Sequence, residues 1–164
     1  MKFREQIERL IFMFKINVLR HRFEYLIPVL QANTSDGKAH YKRYFFAQKF
    51  CKGKNILDIA CGAGYGTKIL SEVAEKVVGV DRDRNAINYA LKHYKAKNLS
   101  FVCASVEELK INEGKYHVIV CFETLEHLDD DKAFIDSLPV NTLVIFSVPD
   151  KNYAWTSPIP QEGV

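Results

Sequence analysis

The stretch that decides the fold is Asn55-Ile56-Leu57-Asp58-Ile59-Ala60-Cys61-Gly62-Ala63-Gly64-Tyr65-Gly66-Thr67. An apolar run that carries one carboxylate ends in three glycines at alternate positions, and a helix-like segment follows. An open α/β sheet presents a nucleoside ligand at the end of its first strand, where glycines let the backbone turn sharply and approach it. The stretch therefore predicts a strand, a ligand-binding loop and a helix.

The chain after this loop alternates between strand-like and helix-like segments. Strands are predicted at 56–60, 76–81, 99–103, 116–122 and 142–148. Helices are predicted at 66–73, 84–94 and 132–138, with a helical turn at 106–109. Strands separated by helices imply a parallel sheet, so the fold class is α/β.

The region before the loop is predicted to be helical. A helix is expected over 3–30, a loop over 33–37 and a second helix over 38–49. We therefore divide the chain into an N-terminal helical extension, residues 1–37, and an α/β domain, residues 38–164.

Composition excludes several classes of protein. The 164 residues are 48% hydrophobic and 26% charged, which is ordinary for a globular protein. The net charge of +3 comes from residues 1–27, so no extended nucleic-acid footprint is expected. Charged residues interrupt every apolar stretch near the start, which argues against a transmembrane segment. Four cysteines without a Cys-x-x-Cys pair indicate reduced thiols and a cytoplasmic protein.

The spacing of the glycines discriminates between nucleoside ligands. A dinucleotide site uses Gly-x-Gly-x-x-Gly, but here the third glycine comes one residue early and Thr67 occupies its expected place. Asp81 ends the second predicted strand, where an acid accepts hydrogen bonds from ribose hydroxyls. Asp58 would repel a pyrophosphate but suits the ammonium and sulfonium of S-adenosylmethionine. These residues predict S-adenosylmethionine as the cofactor.

These features are similar to class I S-adenosylmethionine-dependent methyltransferases. The resemblance covers roughly residues 40–153 and is strongest at 39–44, 53–67, 77–81 and 122–128. It implies a Rossmann-like open parallel sheet of order 3-2-1-4-5 in which the usual C-terminal strands are missing. It also implies methyl transfer, with a small-molecule or sugar-like hydroxyl as the expected acceptor.

The resemblance also implies which residues bind the cofactor. The glycine loop and Asp58 would hold the methionine part, Asp81 the ribose, and the residues around Ser105 the adenine. The family commonly has an acid where Ser105 stands, so this contact is expected to be weaker. The predicted cofactor-binding residues are Asp58, Ala60, Gly62, Gly64, Tyr65, Asp81, Arg82, Ser105, Val106 and Phe122.

A second group of candidate residues follows the fourth predicted strand. Glu123, Glu126 and His127 would lie near the transferred methyl group. Histidine is a natural general base for a hydroxyl acceptor, so His127 and Glu126 are the predicted catalytic residues. The alternative is that Glu126 caps or orients the next helix and His127 only packs.

Two other functions remain open from the sequence. Glu-x-x-Glu-His resembles the metal-binding motif of small-RNA terminal 2′-O-methyltransferases, but no histidine follows His127, so no metal site is predicted. A catalytically inactive cofactor-binding subunit or fragment is the third hypothesis. The apolar strand at 142–148 supports it, because an uncovered apolar edge invites a partner such as a second copy.

Overall fold

The computed structural model describes residues 35–148, with side chains from residue 38 onward. The predicted helix at 3–30 lies outside the described residues, as does the chain after Val148. The elements are α1 (Ser35–Gln48), β1 (Asn55–Ile59), α2 (Tyr65–Ser71), β2 (Lys76–Asp81), α3 (Arg84–His93), β3 (Leu99–Cys103), β4 (Val118–Phe122), a 3₁₀ turn (Leu125–His127), α4 (Asp131–Asp136) and β5 (Leu143–Ser147).

The five strands form one parallel sheet of order β3-β2-β1-β4-β5, which confirms the predicted topology. Ile56 of β1 pairs with Val77 on one side and with Val118 on the other. The chain moves outward from β1 to β3 and then returns to place β4 beside β1. The strand order therefore reverses between β1 and β4, and ligands of open α/β sheets bind beyond the carboxyl ends of the strands at such a point.

The two faces of the sheet carry separate apolar cores. Side chains alternate between faces along a strand, so Ile56 and Asp58 point to one side and Leu57 and Ile59 to the other. The first side packs against α1 and α2, and the second packs against Phe134 of α4. All five residues of β4 are buried because both faces of this central strand are covered. Asp58 thus lies on an apolar face beneath two helices.

Helix ends and the turn before β3 are fixed by polar side chains. The Asp83 carboxylate accepts from the Asn85 amide at 2.7 Å and caps α3. Asp130 accepts from the Ala133 amide at 2.8 Å and caps α4. The Asn98 amide donates to the carbonyls of Ser71 and Ala74, and this ties the turn before β3 to the end of α2.

Predicted boundaries differ from the structure by one to three residues at several elements, and two of these differences have a physical reason. The loop predicted at 33–37 is helical from Ser35, since serine and aspartate also suit the first turn of a helix. The fourth strand begins at Val118 rather than at residue 116. His117, just before it, instead accepts a hydrogen bond from the Asn55 amide on Nδ1 at 3.0 Å, which ties the start of β4 to the start of β1.

Strand β5 is an edge of the described sheet. None of its five residues is fully buried, and Leu143, Phe146 and the following Val148 are among the exposed apolar side chains. The apolar composition of β5 would suit a strand at the centre of a sheet. Within residues 35–148, however, β5 has one strand neighbour, β4. No helix in the described part of the chain is long and apolar enough to cross a membrane.

Candidate active site

The loop after β1 is built from tight turns with left-handed backbone. Ala60, Gly62 and Gly64 have φ angles of 55°, 54° and 82°. A Cβ atom on Gly64 would lie 2.6 Å from the Cβ of Ala90 and 2.7 Å from the Phe101 ring, so glycine is required there on steric grounds as well. The Cys61 amide donates to the Val80 carbonyl at 2.9 Å, which anchors the loop to β2.

Asp81 joins the glycine loop to the end of β2. One carboxylate oxygen accepts from the Gly62 amide and the other from the Asp83 amide, each at 2.8 Å. The residue is 3% exposed, and burial raises the pKa of Asp81 while these two hydrogen bonds act against the rise. A carboxylate has about four lone-pair sites, so acceptor positions remain on both oxygens. The arrangement fits a ribose, whose two hydroxyls would donate to one fixed carboxylate.

Asp58 lies deeper than Asp81 and is fully buried. Thr67 Oγ1 donates to its Oδ2 at 2.7 Å, and the Tyr44 hydroxyl donates to its Oδ1 at 3.2 Å. Burial raises the pKa of Asp58 to about 7, and the hydrogen bonds from Thr67 and Tyr44 oppose that effect. The nearby Asp81 adds a small further rise in the same pKa. Asp58 is therefore a carboxyl group whose charge changes near neutral pH.

An aromatic cluster covers this carboxylate and packs α1 on the loop. The Tyr44 ring meets Phe122 edge-on at 5.1 Å and Tyr65 at 5.4 Å between centroids, and Tyr65 also contacts Tyr41 at 5.2 Å. A Cβ atom on Gly66 would overlap the Tyr44 ring, so this glycine permits the contact. Tyr65 and Phe122, both predicted cofactor residues, are thus buried side chains of one cluster.

The remaining predicted cofactor residues lie at the ends of β2 and β3. The Ala104 amide donates to the Asp81 carbonyl at 3.0 Å and holds the end of β3 beside the end of β2. Ser105 and Val106 follow, both partly buried, and the Ser105 amide donates to Glu108 at 3.0 Å. Arg82 is exposed and lies directly after Asp81. All ten predicted cofactor residues therefore come from the carboxyl ends of β1, β2, β3 and β4 or from the segments that follow them.

The carboxyl end of β4 carries a second charged group. Glu123 has a φ of 52°, an uncommon angle for a residue with a side chain, and its amide donates to the Ser147 carbonyl at 2.9 Å. Its Oε1 pairs with Arg43 Nη2 at 3.2 Å and accepts from Ser147 Oγ at 2.8 Å. Glu123 therefore connects α1, β4 and β5. Arg43 and Tyr44, both in α1, were not among the predicted site residues.

Glu126 and His127 occupy the 3₁₀ turn after β4, and both are exposed. They do not form a set of metal ligands with Glu123, because the Glu123 carboxylate pairs with Arg43 and accepts a hydrogen bond from Ser147. Within the described residues, no group of three His, Cys, Asp or Glu side chains is placed to hold a metal ion. All four cysteines are free thiols, and Cys51, Cys61 and Cys121 are buried.

These features define a class of protein. A parallel sheet whose order reverses at β1, a glycine loop at that point and a fixed carboxylate after β2 together make a nucleoside-binding α/β domain. Residues 56–138 match the model of a protein family described as "Methyltransferase domain". This match covers half of the chain, so the chain belongs to the class I S-adenosylmethionine-dependent methyltransferases. The cofactor predicted from the glycine spacing, S-adenosylmethionine, is the cofactor of this family.

Individual relatives agree with the family assignment. The chain is 32% identical over 95 residues to the ubiquinone biosynthesis O-methyltransferase of Coxiella burnetii, and the match covers 57% of this chain and 41% of that one. The chain therefore spans less than half the length of this relative.

Solved structures show the same fold. The YcgJ protein of Bacillus subtilis superposes with a TM-score of 0.59 at 19% identity, over 65% of this chain and 50% of its own. The plantazolicin methyltransferase BpumL, solved with a monoazolic desmethylPZN analogue and S-adenosylhomocysteine, gives 0.57 at 20% identity, over 71% and 50% of the two chains. At these identities the likeness concerns the fold.

Proposed function

We propose that this protein transfers a methyl group from S-adenosylmethionine to a hydroxyl of a small-molecule or sugar-like acceptor. The observation that carries the cofactor half of the proposal is the hydrogen bond from the Gly62 amide to Asp81. This bond makes the loop and the ribose acid one preorganised unit, which lowers the cost of ordering the site when a nucleoside binds. The name of the Coxiella relative, an O-methyltransferase, supports oxygen as the atom that is methylated.

The chain's own residues have separate tasks in this reaction. When bound, S-adenosylmethionine supplies an electrophilic methyl group on a sulfonium, so the protein's main contribution is to position the reactants. Asp81 accepts from the ribose and fixes the nucleoside. Asp58, when ionised, favours the positively charged methionine end through the buried interior. Tyr65 and Phe122, buried against the Tyr44 ring, would supply an apolar wall on that side of the site.

The acceptor would approach from the side of the 3₁₀ turn. His127 is the proposed general base, which removes the proton of the attacking hydroxyl, and Glu126 beside it is proposed to orient that histidine or the acceptor. Both side chains are exposed at the carboxyl end of β4, next to the strand-order reversal, and this supports their access to an incoming molecule.

Calorimetry tests the cofactor half. The wild-type protein is titrated with S-adenosylmethionine, S-adenosylhomocysteine and NAD, and so is Asp81→Ala. We expect the first two ligands to bind and the substitution to weaken both by at least about tenfold, because hydrogen bonds to a charged acceptor are lost. Asp136→Ala is the matched control, since it removes an exposed carboxylate on α4 whose only described ion pair is with Lys132. A preference for NAD would overturn the proposal.

Turnover of hydroxylated acceptors tests the other half. Formation of S-adenosylhomocysteine is followed with a panel of phenolic and sugar-like hydroxyl compounds. We expect His127→Ala to lower the rate constant by about 10²- to 10⁴-fold, the usual contribution of a general base, without changing cofactor affinity. His93→Ala on α3 serves as the matched control, because His93 is an exposed histidine that stacks on Tyr89. Equal rates in wild type and His127→Ala would remove His127 from the proposal.

A further inference from the structure

Three side chains from three different elements meet beneath the glycine loop. Tyr44 comes from α1, Asp58 from β1 and Thr67 from α2. The hydroxyls of Tyr44 and Thr67 donate to opposite oxygens of Asp58, at 3.2 and 2.7 Å. Asp58 and Thr67 are fully buried, and Tyr44 is 5% exposed. The triad thus links α1 to a buried carboxylate beneath the glycine loop through the Tyr44 hydroxyl.

The triad holds a buried charge by hydroxyl groups. Within residues 38–148, no lysine, arginine or histidine forms an ion pair with Asp58. An unpaired buried carboxylate is costly unless hydrogen bonds satisfy it. Hydrogen bonds to a charged acceptor are stronger than those to a neutral one, so each hydroxyl stabilises the ionised form. The ionisation of Asp58 thus depends on residues outside its own strand.

We propose that Tyr44 and Thr67 are positioning residues that keep the Asp58 carboxylate ionised and fixed, so that contact between α1 and the loop sets the affinity for the positively charged end of the cofactor. This inference rests on the proposed function, because it assumes that S-adenosylmethionine binds above Asp58. Both Asp58 oxygens are buried, so the charge acts across the interior rather than by solvent-exposed contact. Tyr44 and Thr67 act through Asp58 and are not catalytic residues.

The titratable groups around Asp58 supply no competing positive charge. Six titratable groups interact with Asp58, in that they shift its pKa or their own pKa is shifted by it. They lie on α1, the turn after α1, the glycine loop, α2, β2 and β4. They are Tyr44, Cys51, Cys61, Tyr65, Asp81 and Cys121. Burial raises the pKa of Cys51 and of Cys121 to about 11, so these thiols are neutral at physiological pH. Asp81 is the one other acid of this group that can be charged there, and it faces the ribose.

Two nucleosides separate this electrostatic role from a structural one. S-adenosylmethionine carries the positively charged methionine end, whereas 5′-methylthioadenosine has the same nucleoside without it. The dissociation constants of both are measured by calorimetry from pH 6 to pH 8.5, and their ratio is plotted against pH. Titration of Asp81 affects both ligands through the shared ribose and so cancels in the ratio.

The sign of the effect follows from the direction of the pKa shift. Burial raises the pKa of Asp58 to about 7, so the carboxylate is ionised above that pH and protonated below it. In the wild-type protein we expect the preference for S-adenosylmethionine to fall by about tenfold as the pH drops from 8.5 to 6. Removing a donor raises the pKa of Asp58 further, so Tyr44→Phe moves the midpoint of this curve to higher pH.

Matched variants complete the test. Tyr44→Phe keeps the ring that packs on Gly66 and Phe122, and Tyr41→Phe makes the same change one turn earlier on α1 as the control. Thr67→Val removes the second donor at nearly constant shape, and Thr67→Ser restores the hydroxyl. We expect Thr67→Val to move the midpoint upward and Thr67→Ser to bring it back, which keeps the test decisive if Tyr44→Phe does not fold.

The outcomes distinguish this inference from the proposed function. If the wild-type protein binds both nucleosides with a ratio that does not vary with pH, the inference is overturned while the proposed function stands. The inference is also overturned if Tyr44→Phe and Thr67→Val weaken both ligands equally with an unchanged midpoint, because that is the result of a purely structural role. If the wild-type protein binds neither nucleoside, the proposed function itself fails.

Discussion

The carboxyl ends of β1 and β2 differ in construction from those of β4 and β5. At the first pair, which we name the cofactor half, polar side chains are buried and bonded to one another or to backbone amides, as in Asp58 and Asp81. At the second pair, the acceptor half, Glu123 is held by Arg43 and Ser147, but Glu126 and His127 are exposed. The comparison shows a site that is preorganised on one side and open on the other.

The difference has a chemical reason. A nucleoside presents the same ribose in every catalytic cycle, so a fixed carboxylate and a fixed loop lose little entropy on binding it. An acceptor must arrive, react and leave, which requires side chains that solvent can reach. Within residues 35–148, the two non-glycine residues with positive φ angles are Ala60 and Glu123, which lie one in each half at the ends of neighbouring strands. Backbone strain of this kind concentrates at functional sites.

The largest expected effect comes from closing the space at Gly66 in the cofactor half. A Cβ atom there would overlap the ring of buried Tyr44, so Gly66→Ala forces α1 away from the loop. We expect the free energy of unfolding to fall by about 3 kcal/mol, at the upper end of overpacking effects. Cofactor affinity should fall with it, because Tyr44 no longer reaches Asp58.

Gly53→Ala is the control for this prediction, since a Cβ atom on Gly53 would meet nothing within 4 Å. The φ angle of 65° at Gly53 is unfavourable for a residue with a side chain, so backbone strain is the one expected cost of this substitution. Urea unfolding and calorimetry on both variants provide the measurement. A smaller loss of stability in Gly66→Ala than in Gly53→Ala would contradict the contact between α1 and the loop.

Asp58→Asn should stabilise the protein while it impairs the cofactor half. The amide of the new residue can donate to either hydroxyl, since Tyr44 and Thr67 can rotate their protons and accept. The pKa of Asp58 is raised from 3.8 to about 7, so between these values the folded protein holds a proton that the unfolded chain releases. Stability from this group therefore falls as the pH rises through that window. The advantage of the variant should be absent near pH 4 and grow to a few kcal/mol above pH 7.

Thermal melts of both proteins without ligand, from pH 4 to pH 8, measure this advantage. A difference in stability that stays constant with pH would show that Asp58 does not titrate in this range. Calorimetry at pH 8 should also show weaker binding of S-adenosylmethionine to Asp58→Asn.

A smaller gain is expected from Ala60→Gly in the same half. The left-handed φ of 55° costs a residue with a side chain about 1–2 kcal/mol, and glycine relieves it. The greater entropy of glycine in the unfolded chain offsets part of this, which leaves a net stabilisation of about 0.5–1 kcal/mol. Ala63→Gly, a buried alanine of the same loop without positive φ, should instead destabilise. Equal effects of the two substitutions on the urea midpoint would contradict strain at residue 60.

The smallest effect on stability is expected in the acceptor half. Glu126→Ala and His127→Ala alter exposed side chains of a 3₁₀ turn and should change the free energy of unfolding by less than about 0.5 kcal/mol. Urea unfolding of each variant measures this. Together with the turnover test, a near-zero value would separate function from folding at these positions, whereas a loss above 1 kcal/mol would indicate that they pack as structural residues.

The fold was predictable because its signals are local. The alternation of apolar runs with helical spacing located all five strands, and β2 and β3 have the predicted bounds. The capping role of Asp130 could be predicted because an aspartate just before a helix accepts from that helix's own amides. The start of α1 was missed, since Ser35 and Asp36 suit a loop and a helix terminus equally.

The connections within the site were less predictable. Asp58 and Asp81 were identified from their positions in the glycine motif, but the partners of Asp58 were not. Tyr44 precedes Asp58 by 14 residues and belongs to another element, so no spacing in the sequence links them. The same holds for Arg43 and Glu123. A tyrosine directly after an arginine in a helix before a glycine loop is a weak signal, because such residues more often lie on solvated faces.

The sequence by itself determined the class of fold and the cofactor, because these depend on periodicity and on a glycine spacing that the chain carries locally. The strand order followed from the family resemblance that the same residues carry. Only the tertiary structure decided that Asp58 is buried beneath α1, that Tyr44 and Thr67 are its donors, and that Glu123 faces Arg43 and Ser147. The physical reason is that a buried carboxylate is defined by what surrounds it. Those surroundings come from helices and strands that meet only when the sheet has formed.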